Sequence, residues 1–137
     1  MSSGDPETRK RILEETRRLM EAQRGSEVPL EDIARAAWVS RQALYNHFGS
    51  RTGLLVETAR YLDEILGLNE RTQSIRNAQN GADMLGALVT FWGNYVPEIY
   101  GLAKAFMILR ETDEAAAAAW NDRMAALYEA ASRRSNA

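Results

Sequence analysis

Apolar positions recur every three or four residues almost throughout the chain, and the strict alternation of a half-buried strand is rare. Ile12, Leu13, Thr16, Leu19 and Met20 share one helical face, with Arg9, Arg11, Arg17 and Arg18 on the others. Asp5-Pro6 opens this first helix, with an acid as N-cap and proline at the first helical position, and Gly25 stops it. Pro29 opens a short second helix carrying Leu30, Ile33, Ala34 and Ala37. Trp38-Val39-Ser40 reads as a tight connection, and Ser40 caps a third helix that runs to His47. Val39 and Leu44 flank that cap at the spacing of a hydrophobic staple. After Gly49-Ser50 a long fourth helix starts at Arg51, with Leu54, Leu55, Thr58, Leu62, Ile65 and Leu66 on one stripe. Residues 67–81, GLNERTQSIRNAQNG, read as a polar connector. A fifth helix is predicted from Ala82 to Val96, with Met84, Leu85, Leu88, Val89, Trp92 and Tyr95 turned inward. Pro97 punctuates it, and a sixth helix carries Ile99, Leu102, Ala103, Phe106 and Met107. A seventh, capped by Thr112 or Asp113, carries Trp120, Met124, Leu127 and Tyr128. The fold class is all-α.

Composition closes off several function classes. Without cysteine there is no disulfide, thiolate metal site or thiol nucleophile, and one histidine leaves no His-rich metal site. No metal or cofactor is expected. Glu14-Glu15, Asp63-Glu64 and Asp113-Glu114 are neighbours in sequence, so each pair diverges by about 100° on a helix and reads as a solvated face rather than a catalytic couple. There is no phosphate-cradling glycine loop and no His/Asp constellation, so no enzyme is expected. The longest nearly apolar stretch, Met84 to Trp92, falls well short of the roughly 18 residues of a membrane span. MSSGDPETRKR lacks the apolar core of a secretory signal. A soluble cytoplasmic protein without a membrane partner is the expectation. The net charge of −2 hides a gradient, from +1 over residues 1–60 to −3 over residues 61–137.

Residues 29–51 have the dimensions of a helix-turn-helix, two short helices joined by about three residues. On the third helix Leu44 and Phe48 point back, and Arg41, Gln42, Tyr45, Asn46 and His47 take the outward face. Guanidinium clamps guanine and amides pair with adenine in a major groove, so this face suits base edges. A merely solvated polar helix fits the same spacing.

IARAAWVSRQALYNHFGSRTGLL (33–55) closely resembles the DNA-binding signature of tetracycline-repressor-type (TetR) transcriptional regulators. Ile33-Ala34, Val39-Ser40, Leu44-Tyr45-Asn46-His47-Phe48 and Arg51 match it in order and spacing. The resemblance implies a three-helix DNA-binding domain over residues 1–50 and a helical effector domain over 51–137. It implies that Tyr45 and His47 touch the sugar-phosphate backbone and that Arg51 and Ser40 bind phosphate. Arg41, Gln42 and Asn46 then read sequence. His47 has a plainer alternative, bonding to a helix end or a backbone carbonyl. The implied function is a repressor of transcription, released from a double-stranded operator by a small ligand and acting as a homodimer.

Three positions depart from the family pattern. Trp38 stands where the family usually has glycine, in a turn that often needs a left-handed backbone. Either the turn is shifted or packing of the indole offsets the strain. Pro29 replaces the usual Ser/Thr cap of the second helix. The sequence also stops at Ala137, where the family usually adds two dimerisation helices. A shortened partner of a full-length regulator, with no operator binding of its own, is the alternative function.

Beyond residue 80 the load of aromatic and methionine residues is heavy. Phe91, Trp92, Tyr95, Tyr100, Phe106, Met107, Trp120 and Met124 suit a pocket for a small apolar or aromatic ligand, with Thr90, Asn94 and Tyr95 as polar groups. The same spacing suits an ordinary helical core.

Overall fold

A computed structural model describes residues 5–23 and 28–135, the side chains of 127, 128 and 130–135 excepted. Every regular element among the described residues is helical. Helix α1 spans Pro6–Ala22, α2 Leu30–Ala36, α3 Arg41–Phe48 and α4 Arg51–Ile65. Two single turns follow, α5 at Leu68–Arg71 and α6 at Gln73–Arg76, then α7 at Gly81–Leu109 and α8 at Glu114–Ser135. The predicted stop at Gly25, and the side chains of Leu127 and Tyr128, lie outside the described residues.

The starts follow the capping signals. Asp5 accepts from the Glu7 amide and the Thr8 hydroxyl, Ser50 from the Gly53 amide, and Asn80 from the Asp83 amide. Of the two candidate caps for the last helix, Asp113 serves, taking the Ala115 and Ala116 amides at 2.9 and 3.2 Å. Between α3 and α4 the backbones nearly touch. A Cβ on Gly53 would stand 2.1 Å from the Phe48 carbonyl oxygen, so only glycine fits there.

Pro97 does not end a helix. The predicted fifth and sixth helices are one, α7, with the proline inside it. Proline removes one helical hydrogen bond and crowds the carbonyl four residues back. Helix α1 packs closely against α7 beyond the proline. The Glu21 carboxylate accepts from the Gly101 and Leu102 amides at 3.0 and 3.4 Å, as an N-cap would. Contact is close enough that a Cβ on Gly101 would lie 2.1 Å from the Met20 carbonyl oxygen. The predicted connector is likewise more ordered than expected, since α5 and α6 occupy much of it and Ile75 is buried.

Two hydrophobic clusters form. The larger gathers Ile12, Met20, Ile33, Leu44, Leu54 and Leu62 from α1–α4 with Leu102 and Phe106 of α7 and Ala116 of α8. The smaller holds Ile75, Phe91 and Tyr95, flanked by Met84, Leu88 and Trp92. Several positions expected inward are exposed instead: Ile65, Leu85, Val89 and Met107. Neighbouring acids diverge as helical geometry requires, yet at least one of each pair is held by a partner. Glu14 accepts from Tyr61 at 2.6 Å, Asp63 from Tyr95 at 2.8 Å and from Arg123, and Asp113 from Thr52 at 2.5 Å. Glu15 accepts from Arg18 at 2.6 Å as well, so the solvated reading holds for Glu64 and Glu114 but not for the other four acids. Burial and Glu14 push the Tyr61 hydroxyl up to about 12, and burial and Asp63 raise that of Tyr95 further.

Candidate nucleic-acid interface

Helix α3 is seated by a few side chains. Leu44 is buried in the main cluster, with Val39 and Phe48 packed against it. Ser40 Oγ accepts from the Ala43 amide at 3.0 Å, which fixes the first turn. Arg9 lies over the Phe48 ring, 4.8 Å from its centroid, and pairs with Glu57 of α4 at 2.7 Å. Arg11 Nε donates to the Ala37 carbonyl at 2.7 Å and so holds the end of α2. Periodicity gave Arg9 and Arg11 no role beyond an outward face. Their partners lie more than 20 residues away, outside any local signal.

The turn itself is neither shifted nor padded. The Val39 amide donates to Ala34 and the Trp38 amide to Arg35, a Schellman closure that requires a left-handed residue between helices. Trp38 takes that conformation with φ 61°, and its side chain is 87% exposed. Packing of the indole, the compensation expected from sequence, is therefore absent.

With this frame set, α3 presents Arg41, Gln42, Tyr45 and Asn46 outward, all exposed. The Gln42 amide donates to Asn46 Oδ1 at 3.1 Å, aligning two amide side chains one turn apart. The Arg41 guanidinium sits 5.9 Å from the Tyr45 ring and 3.4 Å from Glu31 of α2. The nearby Tyr45 hydroxyl raises the Arg41 pKa. His47 is half-buried at the α3 end, its ring tilted against Phe48, and its Nδ1 has no hydrogen-bond partner among the described residues. It lines a cleft of about 480 Å³ with Arg9, Ser50 and Thr52, at the N-terminus of α4. Arg51 Nη2 donates to the Val28 carbonyl at 2.7 Å, a contact the sequence did not announce, and ties the entrance of α2 to α4. Asp113, the cap of α8, accepts from Thr52 one residue further on, and that hydroxyl with the α8 amides holds its carboxyl below the usual range.

The residues read as a ligand pocket fall into separate places. Phe91 and Tyr95 stack 5.0 Å apart in the smaller cluster, with Trp92 edge-on to Phe91. Phe106 lies in the larger cluster, 6.4 Å from Trp120. Tyr100 and Met124 are half-buried, while Thr90, Asn94 and Met107 are exposed. A cleft of about 390 Å³ beside α5 is lined by Asp63, Glu64, Gly67, Leu68, Asn69, Glu70 and Thr72, and by none of these residues.

Two short helices locked by a Schellman turn, the second anchored by Leu44 and presenting amides and a guanidinium, define a helix-turn-helix unit. Residues 12–58 match the family model of bacterial regulatory proteins, tetR family. Over 43 residues the chain is 49% identical to the HTH-type transcriptional regulator AlkX of Mycobacterium tuberculosis, a match covering 31% of this chain and 20% of that regulator. No solved structure matches the chain. Residues 12–58 are thus similar to the N-terminal domain of the tetR family, and the chain spans only a fraction of the length of the regulator it matches.

Proposed function

We propose that the chain is a sequence-specific DNA-binding regulator of transcription. Residues 1–50 grip a double-stranded operator, and residues 51–137 carry the response. The observation that supports this best is the outward row Arg41, Gln42, Tyr45 and Asn46 on a helix whose opposite side is fixed by Leu44 and Ser40. Arg41, Gln42 and Asn46 read base edges, and Ser40, Tyr45, His47 and Arg51 meet the backbone. The cytoplasm, where the operator is, is its place of action. Repression is relieved when a small apolar or aromatic ligand favours a state with displaced helix-turn-helix units. The bond from Thr52 of α4 to the Asp113 cap of α8 supports α4 as the connecting lever.

Two helix-turn-helix units one DNA turn apart require a dimer. The exposed Leu85, Val89 and Val96, on one side of α7, support self-association. Among the described residues no helix is long and apolar enough to cross a membrane.

The test is fluorescence anisotropy with a duplex selected by the chain from a randomised pool, against a random duplex. Arg41→Ala is expected to lose about 1–3 kcal/mol on the selected duplex and to relax preference at one base position. Arg51→Ala is expected to weaken both duplexes alike and to flatten the salt dependence by about one unit. Equal affinity of the wild-type chain for both duplexes would sink the proposal.

A further inference from the structure

The first turn of α2 carries two acids, Glu31 and Asp32, and each is paired with an arginine of the helix-turn-helix. Asp32 holds Arg35 at 3.3 Å within its own helix. Glu31 reaches across the turn and holds Arg41, the first residue of the reading helix, at 3.4 Å. Both members of the second pair are open to water, with side-chain exposures of 55% for Arg41 and 63% for Glu31. An ion pair this long and this exposed contributes next to nothing to stability. Asp32 alone already supplies a negative charge for the positive end of α2. Neither folding nor the helix dipole needs Glu31 where it stands.

On the DNA-binding reading above, on which this inference rests, we propose that Glu31 sets how well the protein tells its operator from other DNA, by occupying Arg41 until a base replaces it. On an arbitrary duplex the one contact open to Arg41 is phosphate. Taking it leaves the Glu31 carboxylate unpaired beside an anionic backbone, and that repulsion offsets the phosphate contact, so Arg41 adds little to binding. A guanine offers two acceptors in the plane of the guanidinium, a stronger arrangement than the single exposed contact to Glu31. Arg41 then changes partner. The acid thus lowers affinity for wrong sequences more than for the right one, which is selection by an unfavourable alternative.

Anisotropy titrations over a range of salt concentrations test this, with the selected and random duplexes and the wild-type chain, Glu31→Gln and Glu31→Asp. Glu31→Asp keeps the charge but shortens the side chain, so it no longer spans to Arg41. Both variants are expected to bind the random duplex about 3- to 10-fold more tightly, with the salt dependence steeper by about one unit, as a freed arginine neutralises one more phosphate. The selected duplex gains less, so discrimination falls. Unchanged discrimination in Glu31→Gln overturns the proposal. So does a Glu31→Asp that behaves as wild type while Glu31→Gln does not, because charge alone, and not the pairing, then sets the effect. A wild-type chain that prefers no duplex overturns the DNA-binding reading itself, and this inference with it.

Discussion

Trp38 is costly to the fold in two ways. A left-handed backbone is worth about 1–2 kcal/mol against any bulky residue, and an indole 87% exposed recovers none of that by burial. Trp38→Gly removes the strain but frees the unfolded chain, at a cost of about 0.5–1 kcal/mol. The balance is a gain of up to about 1.5 kcal/mol in urea unfolding. A net loss in the variant would mean that the indole makes a contact worth more than the strain. The left-handed position entered through the resemblance, whose pattern puts a glycine there, with a shifted turn as the alternative, since a tryptophan by itself carries no signal for that conformation. That the indole finds no packing was not legible, since it depends on which surface passes nearby. Glu31 escaped notice for a similar reason. Nothing in its neighbourhood along the chain shows that Arg41 will face it across the turn.

Among the elements, those with short-range signals were the readable ones. Asp5 and Ser40, expected as caps, and Ser50 and Asn80, expected only as a break and a connector, each cap a helix within three residues of themselves. Helix α7 is the counterexample. Its proline argues for a break, yet the helix runs through it, and one turn on its Gly101 amide donates to a carboxylate on α1, 80 residues away in sequence. Glu21→Ala removes a charged acceptor from the Gly101 and Leu102 amides at a part-buried site and is expected to lower stability by about 1–3 kcal/mol. Glu21→Gln keeps an acceptor of nearly the same reach and is expected to recover most of that loss. Thermal melts of the two variants beside wild type decide it. Equal melting of all three would mean that α7 crosses its proline unaided. The aromatic residues of α7 and α8 show a different limit. Helical spacing says that Phe91, Tyr95 and Phe106 face inward, but not that they enter two separate clusters.

At the scale of the molecule, α7 leaves apolar area in water. Leu85 and Val89 are about two-thirds exposed and Val96 over one-third, on a helix whose other side fills both clusters. Patches beyond a few hundred Å² seldom stay uncovered. Self-association through this side is expected at micromolar concentration in sedimentation velocity, and Val89→Glu, which touches neither cluster, is expected to shift the distribution toward monomer. A wild-type chain that sediments as a monomer at every concentration would contradict the dimer.

The larger hydrophobic cluster does not respect the boundary at residue 50. Leu102, Phe106 and Ala116 close over Ile12, Met20 and Ile33, so α1 rests on α7 and α8 as much as on α2–α4. For protein engineering this means the helix-turn-helix unit is not a cassette. A chimera that grafts residues 1–50 onto a foreign sensor inherits a socket shaped for a leucine and a phenylalanine. The fusion will be only as sound as the side chains the new host happens to bring to it.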